Sequence, residues 1–301
     1  PAPAPAPEGI LAFQGGETAA LMRLQYYLFD TDLVADYFNT RNGMLGGDYS
    51  TKFSPWLAHG CISPRQIFFA LKEYEAARVA NKSTYWVVFE LIWRDYFKFF
   101  AAKHGRKMFF VTGVADVSVP WKTDPEMFRR WAEGRTGRPL VDANMRELNA
   151  TGFMSNRGRQ NVASYLCLDL GLDWRLGADY FEALLVDHDC ASNYGNWNYA
   201  AGVVGGRINK FNISKQSRDY DPEGDYVRAW LPELKGVPRE HIIEPWRMSA
   251  DDQRKYGCII GEGGDYPRPD EKPQAYNRPR DGGGRGGGGR GGGCGGCGGG
   301  L

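Results

Sequence analysis

The helical spacing of its apolar residues is the feature that most constrains the fold of this chain. Residues 84–103 are apolar almost all round, which predicts a deeply buried helix that Gly105 ends. Ser63 and Pro64 are a capping residue and a proline at the first helical position, so they predict a helix that runs to about Arg78. Alternating apolar strands are scarce, so the pattern predicts an all-α fold. Further helices are predicted at 17–41, from 124–125 onward, and at 141–151, 156–170 and 177–186.

Composition divides the 301 residues into three parts. Residues 1–14 begin with a Pro-Ala repeat and predict an extended linker. Residues 15–267 hold the apolar periodicity and predict one helical domain. Residues 268–301 become a Gly/Arg-rich tail that is predicted to be disordered. The net charge is only +1, so binding to a polyanion requires a local basic patch.

A dense polar and aromatic run, DHDCASNYGNWNY at 187–199, interrupts the apolar pattern. It is too polar for a core strand and too irregular for an amphipathic helix, so we expect a loop. Polar aromatic loops of this density usually face a ligand. The run supplies two carboxylates, Asp187 and Asp189, and three amides, Asn193, Asn196 and Asn198.

The predicted helix over 84–103 carries charged residues on one face. Glu90, Trp93, Arg94 and Phe97 follow helical spacing, so they point the same way. One interpretation is an intrahelical salt bridge between Glu90 and Arg94. The other is a cavity-facing set that hydrogen-bonds a nucleobase and stacks on it.

Two further segments supply candidate binding groups. Ser50, Thr51, Lys52 and Ser54 form a hydroxyl-rich stretch before a helix, which suits either a phosphate or an ordinary capping turn. Arg159, in the segment NRGRQ, is the residue expected to pair with an aspartate of the polar run. That pair is either purely structural or sets the electrostatics of a bound ring.

Metal and membrane chemistry are not indicated. The histidines and cysteines fit no zinc spacing, and the C-x-x-C pair Cys294 and Cys297 lies in the polyglycine tail, so no metal is expected. No stretch is long and apolar enough to span a membrane. Scattered cysteines and the absence of a secretory pattern at the start predict an intracellular protein; the sequence leaves plastid, mitochondrion and nucleus open.

Three blocks together resemble one known family. FELIWRDYF at 89–97, MSNRGRQN at 154–161 and DHDCASNYGNWNYAAG at 187–202 are similar to the helical FAD-binding domain of the photolyase/cryptochrome family, most of all to its DASH-type cryptochromes. The resemblance covers about residues 15–250. It implies a multi-helical FAD-binding domain whose chemistry is supplied by the flavin.

The resemblance implies a set of cofactor-binding residues. Ser50, Thr51, Lys52 and Ser54 match the phosphate-binding stretch, and Tyr37 matches a tyrosine near it. Arg159 and Asp187 match an ion pair over the flavin ring, Asp189 a carboxylate at the ribityl or ring edge, and Asn193 an amide beside the flavin N5 atom. Glu90, Arg94 and Asn156 are expected around the same pocket. Trp121, Trp174 and Trp197 match an electron-transfer chain, although core packing would explain buried tryptophans equally well.

The resemblance also implies a pocket for a cyclobutane pyrimidine dimer. Glu90, Trp93 and Asn156 match lesion-binding residues, with Arg94 and Arg157 at expected DNA contacts; Glu90 is expected to hydrogen-bond the dimer. Gln160 stands where ordinary photolyases have methionine, and Tyr199 where they have tryptophan. Both changes reduce stacking and make the pocket more polar, as DASH-type members show, so a dimer in single-stranded DNA is the expected substrate.

Family members also carry an N-terminal α/β domain for an antenna chromophore, commonly methenyltetrahydrofolate, and this chain is expected to lack it. The predicted function is FAD-dependent, blue-light-driven repair, with a photoreceptor or a single-stranded nucleic-acid-binding module as alternatives. Expected partners are single-stranded DNA with pyrimidine dimers and, through Arg285 and Arg290 of the tail, RNA. The protein is expected to be a monomer.

Overall fold

The computed structural model describes residues 11–206 and 208–269 of the chain. Helices provide nearly all of the regular structure in this part, where the β-structure is limited to the isolated bridges Lys122–Leu172 and Ile260–Tyr266. The predicted all-α class is therefore confirmed. The start of the Pro-Ala linker, the Gly/Arg-rich tail with Arg285 and Arg290, and the pair Cys294 and Cys297 lie outside the described residues.

The α-helices follow one another with short connections. Two π-helical segments, Tyr26–Asp30 and Tyr165–Leu170, continue α1 and α8, and 3-10 turns fill several of the connections. The α-helices are α1 (Glu17–Gln25), α2 (Tyr37–Thr40), α3 (Ser54–Ala58), α4 (Pro64–Ala77), α5 (Lys82–His104), α6 (Pro125–Ala132), α7 (Pro139–Thr151), α8 (Asn156–Ser164), α9 (Trp174–Leu184), α10 (Cys190–Ala200), α11 (Ile213–Tyr220), α12 (Asp225–Trp230), α13 (Arg239–Ile242) and α14 (Ala250–Tyr256).

The predicted helix ends are confirmed where capping residues mark them. The Ser63 hydroxyl accepts a hydrogen bond from the Gln66 amide at 3.1 Å, and the Gln66 side chain accepts one from the Ser63 amide at 2.7 Å. This reciprocal pair satisfies two amides that the first turn of α4 leaves unpaired. Asp124 caps α6 in the same way, by accepting from the Met127 amide at 2.9 Å. Gly105 follows the last residue of α5 with a φ of 53°.

The single helix predicted over 17–41 is wrong, because the chain breaks at Asp32. Asp32 adopts a left-handed backbone conformation with a φ of 56°. Its carboxylate accepts hydrogen bonds from the Tyr74 hydroxyl at 2.9 Å and from Arg78 at 2.5 Å. Both partners belong to the α4 region, so contacts remote in sequence impose this turn on an otherwise helical pattern.

The prediction that α5 is deeply buried is also wrong. Phe97 and Phe100 are buried, but Tyr85, Ile92 and Phe99 are 56%, 55% and 76% exposed. These three exposed residues recur at intervals of seven, so they form one stripe along the helix. The helix is apolar on two sides. One side packs against the core, and the other faces outward.

The loop predicted for the polar run at 187–199 is wrong from residue 190 onward, where α10 begins. The Asp189 carboxylate caps this helix by accepting from the Ser192 amide at 2.9 Å. Gly195 allows α10 to approach α5 closely, since a Cβ atom there would lie 2.3 Å from the Phe97 ring. Tertiary packing thus makes a helix from a segment that has no amphipathic pattern of its own.

The packed domain begins earlier than the predicted boundary at residue 15. The Phe13 ring centroid lies 5.6 Å from that of Trp56 and 5.3 Å from that of Phe153. The Trp56 indole donates to the Gln14 carbonyl at 2.8 Å. Leu11 and Phe13 of the predicted linker are therefore packed against the core.

The core consists of two hydrophobic clusters. The first is formed mainly by α1, α4 and the segments between them, and the second by α6 to α12 and the residues that follow. Helix α5 contributes Val87 to the first cluster and Phe100 to the second. It therefore runs along the boundary between them, where the candidate site lies.

Candidate functional site

A deep pocket opens between the two hydrophobic clusters. Its apolar walls include Phe53 from the first cluster and Phe181 and Leu185 from the second. Most of the residues predicted from the sequence lie around it. They are Tyr37, Ser50, Thr51, Lys52, Ser54, Glu90, Trp93, Arg94, Asn156, Arg159, Asp187, Asp189 and Asn193.

Arg23 holds the hydroxyl-rich loop in place from behind. Its guanidinium donates to the carbonyl oxygens of Gly47, Ser50 and Thr51 at 3.0, 3.1 and 3.1 Å. It also pairs with Asp48 at 2.8 Å, and Arg23 itself is buried. Five donors in a rigid fork suit this task. Arg23 is not among the predicted site residues, since it lies on α1 and no local pattern connects it to a loop about two dozen residues later.

Lys52 carries a buried cation at one end of the pocket. Its ammonium group lies 3.5 Å from the Tyr49 ring centroid and 4.3 Å from that of Phe153. Within the described part of the chain it forms no ion pair. Burial lowers the pKa of Lys52 to about 7, although the Glu147 carboxylate opposes this shift. A buried ammonium group that contacts aromatic faces and has no ion-pair partner is a favourable partner for an anion.

The predicted pair between Arg159 and an aspartate is confirmed, and the aspartate is Asp187. The guanidinium and carboxylate are 2.7 Å apart, and the side chains are 8% and 2% exposed. Arg159 also donates to the Met154 carbonyl at 2.9 Å. The second carboxylate oxygen of Asp187, Oδ1, is buried and has no hydrogen-bond partner among the described residues. A buried acceptor of this kind needs a donor, and the pocket is where a ligand could supply it.

Glu90 pairs with an arginine from outside α5, Arg41, and not with Arg94 of its own helix. Its carboxylate accepts from Arg41 at 2.5 Å and from the Trp86 indole at 3.1 Å. Arg94 donates to the Leu57 carbonyl at 3.3 Å. The intrahelical interpretation of Glu90 and Arg94 is therefore wrong. Arg41, which is buried and lines the pocket, was missed because a single arginine after a short helix carries no spacing signal.

The start of α10 fixes the groups opposite α5. Asp189 lines the pocket while it caps the helix. The Asn193 amide nitrogen donates to the Ala178 carbonyl at 3.0 Å. Because both side chains are anchored to the backbone, they are held in place before any ligand arrives.

None of the three tryptophans predicted to form an electron-transfer chain lines the pocket. Trp197 and Trp174 are fully buried, and Trp121 is half-buried against the same cluster. The Trp197 ring centroid lies 5.2 Å from that of Phe181, a pocket residue. Trp197 also packs on Gly177, where a Cβ atom would lie 2.2 Å from the indole, and Gly177 is one turn from Trp174 in α9. The packing connects the pocket wall to Trp174; electron transfer along it stays a prediction.

Arg157, Gln160 and Tyr199 lie outside the pocket wall. Arg157 donates to Gln160 Oε1 at 2.9 Å and to Asn42 Oδ1 at 3.0 Å. The Tyr199 hydroxyl lies 2.6 Å from that of Tyr96. Tyr199 lines a second, shallower depression, which we call the outer cleft; its wall includes Tyr96, Phe99, Lys103, His104, Tyr199 and Val204.

The pocket therefore offers complementary polar groups within apolar walls. An unpaired cation lies at Lys52, and an acceptor without a partner lies at Asp187. Glu90 presents a carboxylate beside the Trp93 ring. Such a site suits an elongated ligand that has an anionic part and a hydrogen-bonding ring system.

Comparison with protein families gives a match over residues 86–275 to the family described as the FAD binding domain of DNA photolyase. Cryptochrome DASH from Synechocystis sp. is 57% identical over 262 residues, which are 86% of this chain and 53% of that protein. Cryptochrome DASH from Danio rerio is 63% identical over 238 residues, 78% of this chain and 46% of that protein. The chain thus spans about half the length of the curated relatives it matches.

Solved structures give the same result for the fold. The crystal structure of a Synechocystis cryptochrome superposes with a TM-score of 0.84 at 57% identity, over 87% of this chain and 54% of that one. A bacterial class III photolyase from Agrobacterium tumefaciens gives 0.78 at 33% identity, over 84% of this chain and 52% of that one. Across residues 11–206 and 208–269, no helix has the length and apolar character that a membrane crossing requires.

Proposed function

Because the chain belongs to the photolyase/cryptochrome family and carries its FAD-binding helical domain, we propose that the pocket binds FAD. The domain is most like that of DASH-type cryptochromes. The FAD-loaded protein would repair cyclobutane pyrimidine dimers in single-stranded DNA under blue light. The observation that carries this proposal is the pair of unsatisfied groups in one pocket: the Lys52 ammonium and Asp187 Oδ1.

The donor and acceptor set fits FAD. The dinucleotide combines a pyrophosphate with a ring system that carries both N–H and carbonyl groups. Lys52 and the hydroxyls of Ser50, Thr51 and Ser54 would hold the pyrophosphate. Asp187 and Arg159, already paired at 2.7 Å, would meet the polar edge of the ring, where Asp187 Oδ1 can accept an N–H hydrogen bond. Asn193 and Asp189 would contact the same ligand from α10.

The residues of α5 would then form the lesion site. Bound FAD, in its reduced form, would supply the chemistry, a light-driven transfer of one electron to the dimer that is returned to the flavin once the ring has split. Glu90 can accept a hydrogen bond from a pyrimidine N–H while it is ionised, and as a carboxylic acid it can donate to a ring carbonyl oxygen. Trp93 offers a stacking face, and Asn156 an amide. Arg41 fixes the Glu90 carboxylate, so the group does not have to be ordered when the lesion binds.

The positions of Gln160 and Tyr199 support a single-stranded substrate. Gln160 is engaged by Arg157, and Tyr199 faces the outer cleft, so the pocket draws little stacking area from either residue. Stacking on an aromatic side chain contributes about 1–3 kcal/mol per base. Flipping a dimer out of a duplex costs a few kcal/mol, and a single strand avoids this cost.

An oligonucleotide with one defined thymine dimer tests the proposal. The chain loaded with FAD should reverse the dimer under blue light and not in the dark, and it should act faster on the single strand than on the duplex. A chain that binds no FAD would contradict the cofactor assignment. Binding of FAD with photoreduction but no dimer reversal would contradict repair and favour a photoreceptor role.

A further inference from the structure

The outer cleft lies next to the pocket, and aromatic residues of α5 connect the two. Trp93 lines the pocket, and its ring centroid lies 5.2 Å from that of Tyr96, which lines the cleft. The Tyr96 hydroxyl in turn meets that of Tyr199 at 2.6 Å. The cleft is therefore within reach of a nucleotide that neighbours one placed in the pocket.

Aromatic rings line the cleft and reach solvent. Phe99 is 76% exposed, and Tyr199 and Tyr96 are 42% and 38% exposed. Exposed rings grouped in this way mark a binding surface more often than isolated exposed residues do. The hydrogen bond between the two tyrosines holds their rings in place, which reduces the entropy that a ligand would lose on binding.

The surroundings of the cleft are basic. Residues 95–116 contain the cations Lys98, Lys103, Arg106 and Lys107, with the aspartates Asp95 and Asp116 at the two ends. Lys103 is the one of these cations that lines the cleft. Lys107 pairs with Asp116, whereas no ion pair is found for the other three within the described residues. Aromatic rings beside the Lys103 ammonium fit a ligand that has flat bases and a phosphate backbone. A neutral apolar partner would leave these cations without a role.

We propose that the outer cleft binds an unpaired nucleobase that neighbours the lesion on the same strand, with Lys103 near its phosphate. The proposal rests on the proposed function, because it takes the lesion in the pocket as its starting point. A base inside a duplex is stacked and paired, so it cannot enter the cleft. The cleft therefore adds affinity for single strands and acts as a determinant of substrate class.

The test compares two dimer-containing single strands in the dark, one with normal flanking bases and one with abasic flanking sites. Fluorescence anisotropy of the FAD-loaded full chain should give about tenfold tighter binding to the strand with flanking bases. Phe99→Ala should remove this difference, and Lys103→Ala should weaken the salt dependence of binding. Phe69→Ala, at a residue on α4 that is 67% exposed, is the matched control and should keep the difference.

The outcomes separate this inference from the proposed function. The cleft assignment would be overturned if the protein without substitutions bound both strands equally. It would also be overturned if Phe99→Ala kept the whole difference in affinity between the two strands, even with normal repair. A difference that Phe99→Ala abolishes, in a protein that reverses no dimer, would support the cleft and contradict repair. Thermal unfolding of Phe99→Ala should match the unchanged chain, because the ring fills no buried space.

Discussion

The two sides of α5 carry opposite chemistry. Toward the pocket, Glu90 and Arg94 are partly buried, and both bind groups from other elements. Away from it, Tyr85, Ile92 and Phe99 form an exposed apolar stripe. A helix on the surface of an ordinary globular domain has the reverse arrangement, with apolar residues inside and charged residues outside.

The difference shows which side is constrained by partners. A charge that is partly removed from water is stable only while its partner is present, so the loss of one group is costly. Truncation of an exposed apolar side chain costs the protein little stability, because the side chain fills no buried space. We therefore expect large losses of stability from changes on the pocket side and small losses from changes on the stripe.

The largest effect should come from breaking the pair at the floor of the pocket. Asp187→Ala leaves Arg159 as a buried charge whose remaining contacts among the described residues are the Met154 carbonyl and the face of the Phe153 ring. Removing one member of a buried pair typically destabilises a protein by about 3–5 kcal/mol. Urea unfolding of the ligand-free chain measures this loss. A loss below about 1 kcal/mol would mean that water replaces the carboxylate.

Glu90→Ala should reduce dimer reversal about 10- to 100-fold, since a hydrogen bond to a charged group contributes about 1.5–3 kcal/mol. Glu90→Gln keeps the hydrogen-bonding shape and should lose less. Photoreduction of the bound flavin is the control, and neither variant should change it. Repair at the original rate in Glu90→Ala would remove this side of α5 from the lesion site.

Lys52→Met should weaken FAD binding about tenfold, which corresponds to about 1.4 kcal/mol, by removing the cation that we propose as the partner of the pyrophosphate. The same change should stabilise the ligand-free chain, because a buried ammonium without an anion is unfavourable. Calorimetric titration and thermal unfolding measure the two effects. Weaker binding together with lower stability would indicate a purely structural lysine.

The titration of Lys52 should make both the stability of the ligand-free chain and its affinity for FAD depend on pH. The pKa of Lys52 is about 7 in the folded chain and 10.5 ordinarily, so between these values the unfolded chain binds the extra proton. The Lys52 contribution to the stability of the ligand-free chain should therefore rise with pH across this window. FAD affinity should fall over the same range, since binding then requires proton uptake. Lys52→Met should flatten both profiles.

Ile92→Ala should have the smallest effect. The side chain is 55% exposed and lies in the middle of the apolar stripe, so we expect a stability change within about 0.5 kcal/mol and unchanged repair. Urea unfolding and the dimer assay measure both. A much larger loss of stability would show that the stripe is covered in solution, and the comparison between the two sides of α5 would fail.

The sequence by itself determined the helical class and several helix ends, because capping residues such as Ser63 and Asp124 act within one turn. It also identified most of the pocket residues and the Arg159 pair, since those polar residues stand out from an apolar background. A family resemblance sharpened these assignments. The roles of the tryptophans and of the DNA-contacting residues remain predictions.

Only the tertiary structure decided which groups meet. Arg41 reaches Glu90 across 49 positions of the chain, and Arg23 holds a loop 24 to 28 positions away, so no local pattern could reveal either contact. Packing against α5 also made the polar run helical from residue 190 onward. The packing of α5 itself decided which of its two apolar sides faces outward. Local preferences fix a helix and its ends, but its orientation depends on the surfaces that it buries.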